Sequence, residues 1–171
     1  MSLTTLIWLF LIAFLLHDLE EIIWVGPWIR QNKTKVLQRV SPKVANRLQS
    51  MLRINSSQFG VAVLLELVVF IPFVYIAAEY GHYFMFLAFN TLFLLHVFTH
   101  VGQSLYLRMY TPGVVSAVCI TLPYGIYLLY RLLSQGIVTW AEVFLSIPVG
   151  LVVLPIVMLG HELGRRLVPD T

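Results

Sequence analysis

Charge is what this sequence has least of. Of its 171 residues only 11% are Asp, Glu, Lys or Arg, while 59% are apolar. Soluble domains run to about 25% charged and about 45–50% apolar residues. A chain so poor in charge cannot cover a globule of its size with polar surface, which excludes a soluble enzyme, a disordered regulator and a secreted disulfide scaffold. Cysteine is nearly missing too, and Cys119 alone can form no internal disulfide. Nucleotide-binding loops, flavin or nicotinamide fingerprints and serine nucleophile elbows are all missing. What remains is apolar, with a mean hydropathy of +0.86. The formal charge of +3 would suit nucleic acid, but the placement of the charges excludes that partner and points to a membrane.

A helix crosses a bilayer core with roughly 20 apolar residues. Five stretches qualify: 3–25, 59–78, 83–107, 114–133 and 140–160. The expected fold is therefore an all-α integral membrane protein, a single transmembrane domain over residues 1–171 with five helices in one bundle. Gly81 marks one turn, Ser134–Gly136 another, and Thr111-Pro112 reads as an N-cap with proline in the first helical turn. Pro123, Pro148 and Pro155 fall inside spans, where they kink or locally unwind a helix. The N-terminal stretch has no basic region before it and ends in carboxylates, so it reads as a span rather than a signal peptide. Arg30, Lys33, Lys35, Arg39, Lys43, Arg47, Arg53, Arg108, Arg165 and Arg166 all share one side if the chain crosses five times, and only Arg131 takes the other. Basic residues collect in the cytoplasm, which puts the N-terminus outside and the C-terminus inside. Residues 42–54 read as a short amphipathic helix on the inner leaflet. Val44, Leu48, Met51 and Leu52 form its apolar face, and Lys43, Arg47 and Ser50 turn to anionic headgroups.

Ionisable residues inside spans are costly and usually face a bundle interior or a cavity. Here they are His17, Asp18, Glu20, Glu21, Glu66, His96, His100, His161 and Glu162, with Gln103 beside them. At about 1.5 Å per residue, His17, Glu21, Glu66, His96 and His100 all fall roughly 6–16 Å from the cytoplasmic ends of their helices. Helices running in opposite directions thus bring their polar groups into one layer. Facing agrees: His17, Glu20 and Glu21 share one face, and His96, Thr99, His100 and Gln103 form a second stripe. Asp18 is turned aside by about a quarter turn, so it is expected behind the site or in solvent. His82, Glu79 and Glu142 fall toward the outer surface as structural residues, and Cys119 reads as packing.

Histidines at i and i+4 can reach one metal ion, and helical bundles hold paired metals with inward carboxylates and histidines. The predicted ligands are His17, Glu21, Glu66, His96, His100 and, at the mouth, His161. Gln103, Glu20 and Glu162 stand behind them, and Glu20, Glu21 and Glu66 are the candidate catalytic carboxylates.

The run His17-Asp18-Leu19-Glu20-Glu21 at the end of a first span, together with His96-x-x-x-His100, resembles the HXXEE-domain family of small integral membrane proteins. The resemblance extends to chain length and helix number. It implies His17, Glu20 and Glu21 as motif residues with His96 and His100 as the histidine pair, and a membrane enzyme without specifying its reaction.

Three functions follow from these residues. The first is a membrane-embedded metal-dependent enzyme acting on a lipid or other hydrophobic substrate, using one or two zinc or iron ions for hydrolysis or oxidation. The alternative is a metal-free acid–base isomerase or cyclase using buried carboxylates. A proton or metal-ion transporter ranks third, because the outer half offers little polar lining beyond Asn90. Glycines and serines are too scattered to mark a dimer face.

Overall fold

Ser2 opens the first helix of the computed structural model by accepting the Thr5 amide, and α1 then runs unbroken over Leu3–Arg39. The structure describes residues 1–169; the side chains of Ser50 and Met51, which the sequence assigned to faces of the amphipathic helix, lie outside the described set. The helix continues past the expected span of 3–25: Pro27 sits inside α1 without ending it. A proline removes one backbone donor, and the Arg, Gln, Lys and Leu residues that follow favour helix strongly.

The short helix α2 follows at Pro42–Met51, with proline in its first turn. Next, α3 (Ser56–Tyr80) begins with a reciprocal capping box between Asn55 and Gln58 and ends at Gly81, whose φ of 71° is left-handed. Helix α4 (Phe84–Leu107) ends at Arg108, which adopts a left-handed φ of 47°. The chain then doubles back through Thr111 and Pro112 to α5 (Val114–Ser134). Here the expected Thr111 N-cap is corrected. Gly113, at φ 87°, precedes the first helical residue, and Thr111 is buried instead. Helix α5 contains a π-helical turn over Ala117–Thr121 just ahead of Pro123, which absorbs the backbone bond that proline cannot make. Helix α6 (Trp140–Leu167) starts from a Thr139–Glu142 capping box and loosens at Leu151–Val152, just ahead of Pro155.

Among the described residues four helices, α3 to α6, are long and apolar enough to cross a membrane. Their outward faces carry Leu64, Val68, Phe98, Phe144 and Met158 in exposed positions, as lipid-facing surfaces require. Helix α1 packs against α3 on one side and α4 with α5 on another, and exposes Ile12, Leu16 and Ile23 along its remaining face. Phe10 sits at the centre of the main core, its ring 5.4–5.8 Å from those of Phe70, Phe86 and Phe93. A smaller second core joins Ile29 and Val36 of α1 to Leu52 and Leu107.

Helix α6 lies tightly on α3 because Gly160 and Gly164, four residues apart, face the α3 backbone. A Cβ on Gly160 would stand 2.7 Å from the Ala62 Cα, and one on Gly164 would strike the Gln58 carbonyl. This small-residue pair lets two helices approach as membrane helices commonly do, here within one chain. Gln58 completes the contact by donating to the Val168 carbonyl at 3.0 Å. The ends of α4 and α6 and the start of α3 therefore gather at one end of the bundle, between the two cores. The candidate site lies there.

Candidate metal centre

Helices α1 and α4 each deliver two groups to one point. One ligand atom from each of His17, Glu21, His96 and His100 lies within 4.8 Å of every other. His100 Nε2 stands 2.8 Å from His96 Nε2 and 3.6 Å from Glu21 Oε1. The ring centroids of His17 and His100 are 4.8 Å apart. A tetrahedral ion with ligand bonds of about 2.1 Å separates its ligands by roughly 3.4 Å, which falls inside this range. His17 and His100 are buried, Glu21 is half-buried, and His96 opens outward.

The surrounding hydrogen bonds fix which nitrogens carry lone pairs. Ser116 Oγ donates to Glu20 Oε2 at 2.5 Å, so its oxygen accepts from His17 Nδ1 at 3.0 Å. The proton goes to the carboxylate because the charge-assisted bond is the stronger one. His17 therefore holds its hydrogen on Nδ1 and keeps an Nε2 lone pair, an atom buried with no other partner among the described residues. Thr99 repeats the device: its hydroxyl donates to the His96 carbonyl at 2.7 Å and accepts from His96 Nδ1 at 3.1 Å. His96 Nε2 is left as an acceptor too. His100 Nε2 stands 2.8 Å from His96 Nε2, and with the His100 hydrogen on Nδ1, toward the Pro112 backbone, both Nε2 lone pairs would be open to an ion. Orientation of the outer ring nitrogen is how proteins prepare imidazoles for metals.

Glu20 stands behind the cluster as the orienting carboxylate. Oε2 accepts from both the Ser116 amide at 2.7 Å and the Ser116 hydroxyl, while Oε1 accepts the Tyr110 hydroxyl at 2.6 Å. Both oxygens are thus engaged, and Glu20 reaches His17 through the Ser116 hydroxyl. Glu66, on α3, lies outside the four-residue group and faces the carboxyls of Asp18 and Glu21. His161 also lies outside it, its ring 5.3 Å from Phe59, but borders the same chamber as Glu21, His96 and His100. Gln103 is on the rim of that chamber. Glu162 is drawn away, pairing with Arg165 at 2.8 Å and Arg166 at 2.7 Å on the surface.

Asp18 takes the first of its two expected places, behind the site and out of solvent. It is only 7% exposed, packed beside Glu21 and Glu66. Helix α1 is covered on two sides, by α3 and by α4 with α5, so a residue turned off one face meets another partner instead of solvent. Sequence reasoning missed Ser116, Tyr110 and Gly113. They reach the site only because the chain doubles back after Arg108, and no periodicity announces that. The left-handed Gly113 was the one readable signal, as a glycine directly after proline.

Known proteins bear on the same residues. Residues 8–128 match the family described as "Protein of unknown function with HXXEE motif". The Bacillus subtilis (strain 168) protein described as "Uncharacterized protein YrkK" is 22% identical over 164 residues, spanning 94% of this chain and 96% of its own. No solved structure matches. The matched segment contains His17, Asp18, Glu20, Glu21, Glu66, His96, His100 and Ser116, whereas His161 and Glu162 fall beyond it.

Proposed function

The chain belongs to the HXXEE family of unknown function, and we propose that it works as a membrane-embedded, metal-dependent enzyme on a hydrophobic substrate. One observation carries this reading: two imidazole lone pairs, on His17 and His96, are aimed by hydroxyl groups at a point shared with His100 and Glu21. Satisfied buried histidines have no need of such aiming, and a purely acid–base site has no use for three imidazoles converging on one point. Three nitrogens and a carboxylate, with no thiolate, suit zinc or ferrous iron. A bound divalent ion would supply Lewis-acid activation of a water or carbonyl. His17, His96 and His100 would hold it, Glu21 would complete the set, and Glu66 with Asp18 would keep a proton within reach of Glu21.

Helix α1 is the fifth span in this reading, and the basic residues put the metal centre in the cytoplasmic half with the N-terminus outside. The test is elemental mass spectrometry on protein purified without chelators or a metal-affinity column. One or two equivalents of zinc or iron, lost in both His17→Ala and His96→Ala, supports the reading. Metal-free protein with both variants folded overturns it and leaves the carboxylate trio as an acid–base site.

A further inference from the structure

Beside the cluster is a chamber of about 680 Å³. Its walls change character along the bundle. At the inner end stand Glu21, His96 and His100, and the outer end is closed by Val36, Leu48 and Leu52 of the second core. The order is set by the helices, since residues along α1 and along α4 pass from the cluster toward that core. Imidazoles and a carboxylate lie inside and an aliphatic cluster outside, with Gln103, Tyr106 and Arg165 also in the outer wall; the leaflet has the opposite order, headgroups outermost. A leaflet lipid entering chain-first would lay its tail against imidazoles and a carboxylate, with its head under an apolar cap.

Two further observations narrow the occupant. The inner end holds a buried polar atom without a partner among the described residues, Thr111 Oγ1. From residue 22 to residue 65 the chain carries seven Lys and Arg and no Asp or Glu. The segment that leads from the cluster to the chamber's outer end is thus uniformly cationic, and Arg165 stands in the wall, although it shares its charge with Glu162. Such a field draws anions. The volume suits one small molecule, within the roughly 300–1,000 Å³ of ligand sites, and not a two-chain phospholipid.

We propose that this chamber binds a single-chain amphiphile with an anionic head, head inward at His96 and His100 and chain outward beneath α2. The head's place rests on the metal reading above, and the chain's place does not.

Wild-type protein in nanodiscs tests this with two photoreactive fatty acids, one carrying a diazirine at the terminal carbon and one beside the carboxylate, and with the matching alkyl phosphates. Adducts are mapped by peptide mass spectrometry, with unlabelled amphiphile as competitor. For at least one head group, competed adducts of the terminal probe should fall in residues 36–52, and those of the proximal probe in residues 96–107. Leu48→Glu should cut competed labelling at least fivefold, and Phe144→Glu on the lipid-facing surface should leave it unchanged. Terminal-probe adducts at residues 96–103, or labelling by every probe that no competitor reduces, would overturn the proposal. Metal content is measured on the same preparations. Metal-free protein that still places the terminal probe beneath α2 defeats the metal reading alone, whereas metal-loaded protein that takes the chain inward defeats this one alone.

Discussion

Gly113→Ala puts the assignment of the site to the sharpest test, because the same methyl group would touch two of the four candidate ligands. A Cβ at position 113 would stand 2.5 Å from His100 Cε1, 2.9 Å from its Nδ1 and 3.0 Å from Glu21 Cγ. Ordinary carbon contacts begin near 3.4 Å, so the His100 ring must retreat by about 0.9 Å and Glu21 by about 0.4 Å, both away from Gly113. The backbone cannot easily yield instead, since φ there is 87° and an L side chain in that region costs about 1–2 kcal/mol. A displacement near 1 Å is enough to cost roughly 100-fold in a positioned site. Changes to the groups orienting metal ligands typically cost about 10–100-fold in affinity. The expectation is therefore a 10–100-fold weaker hold on zinc, read by competition with a chromogenic chelator in detergent.

Loss of stability alone could mimic that result, and Gly136→Ala separates the two. Gly136 also has a left-handed φ, 66°, but a Cβ there meets nothing within 4 Å. It should lose a similar 1–2 kcal/mol of stability and keep wild-type zinc affinity. If Gly113→Ala binds zinc within about twofold of wild type, or if both variants lose it equally, His100 and Glu21 are not the ligands and the argument fails.

Other expectations follow from the same contacts. Ser116→Ala removes the hydroxyl between Glu20 and His17 and should weaken zinc binding about 10–100-fold, with Ser116→Thr restoring part of it. Tyr110→Phe takes one donor from Glu20 and should cost less than Ser116→Ala in the same assay. Burial and the Glu20 carboxylate hold the Tyr110 phenol above its ordinary range, so it stays a neutral donor through alkaline titration, and phenolate absorbance should show no Tyr110 component at pH 10. Acidification should release the metal, because each ligating imidazole must be neutral and ordinary histidines protonate near about 6.5. Equilibrium dialysis at pH 7.5 and pH 5 reads this directly, and retention at the lower value would count against histidine ligation. Gly160→Leu should wedge α6 from α3 and destabilise the fold by about 1–3 kcal/mol or more, measured by thermal unfolding in detergent, whereas Glu162→Gln should leave metal affinity untouched.

The parts of the site that were legible in sequence share one property: they are ionisable groups in apolar helices. In His17, Glu21, His96 and His100 the helical repeat alone fixed depth and facing, so helices distant in sequence could be aligned before any packing was known. That logic holds only where a helix shows the bundle one face. Helix α1 shows two, which is why the repeat left Asp18 either behind the site or in solvent, and only its burial beside Glu21 and Glu66 decides for the first. It also fails where the chain leaves the helix. The return from Arg108 to Gly113 brings in Tyr110 and Ser116, and their roles depend on a left-handed arginine and a left-handed glycine, not on any repeat. The Gly160–Gly164 pair was visible as letters but unreadable as a contact, because small residues four apart serve a neighbouring helix and a second copy equally well. Only the Ala62 and Gln58 backbones that they touch show that the pair is spent inside the chain. The four residues that could hold an ion were therefore readable from their own chemistry, while the aiming role of Ser116 and Thr99 was not, since both are ordinary hydroxyls until a histidine stands 3.0 Å and 3.1 Å away.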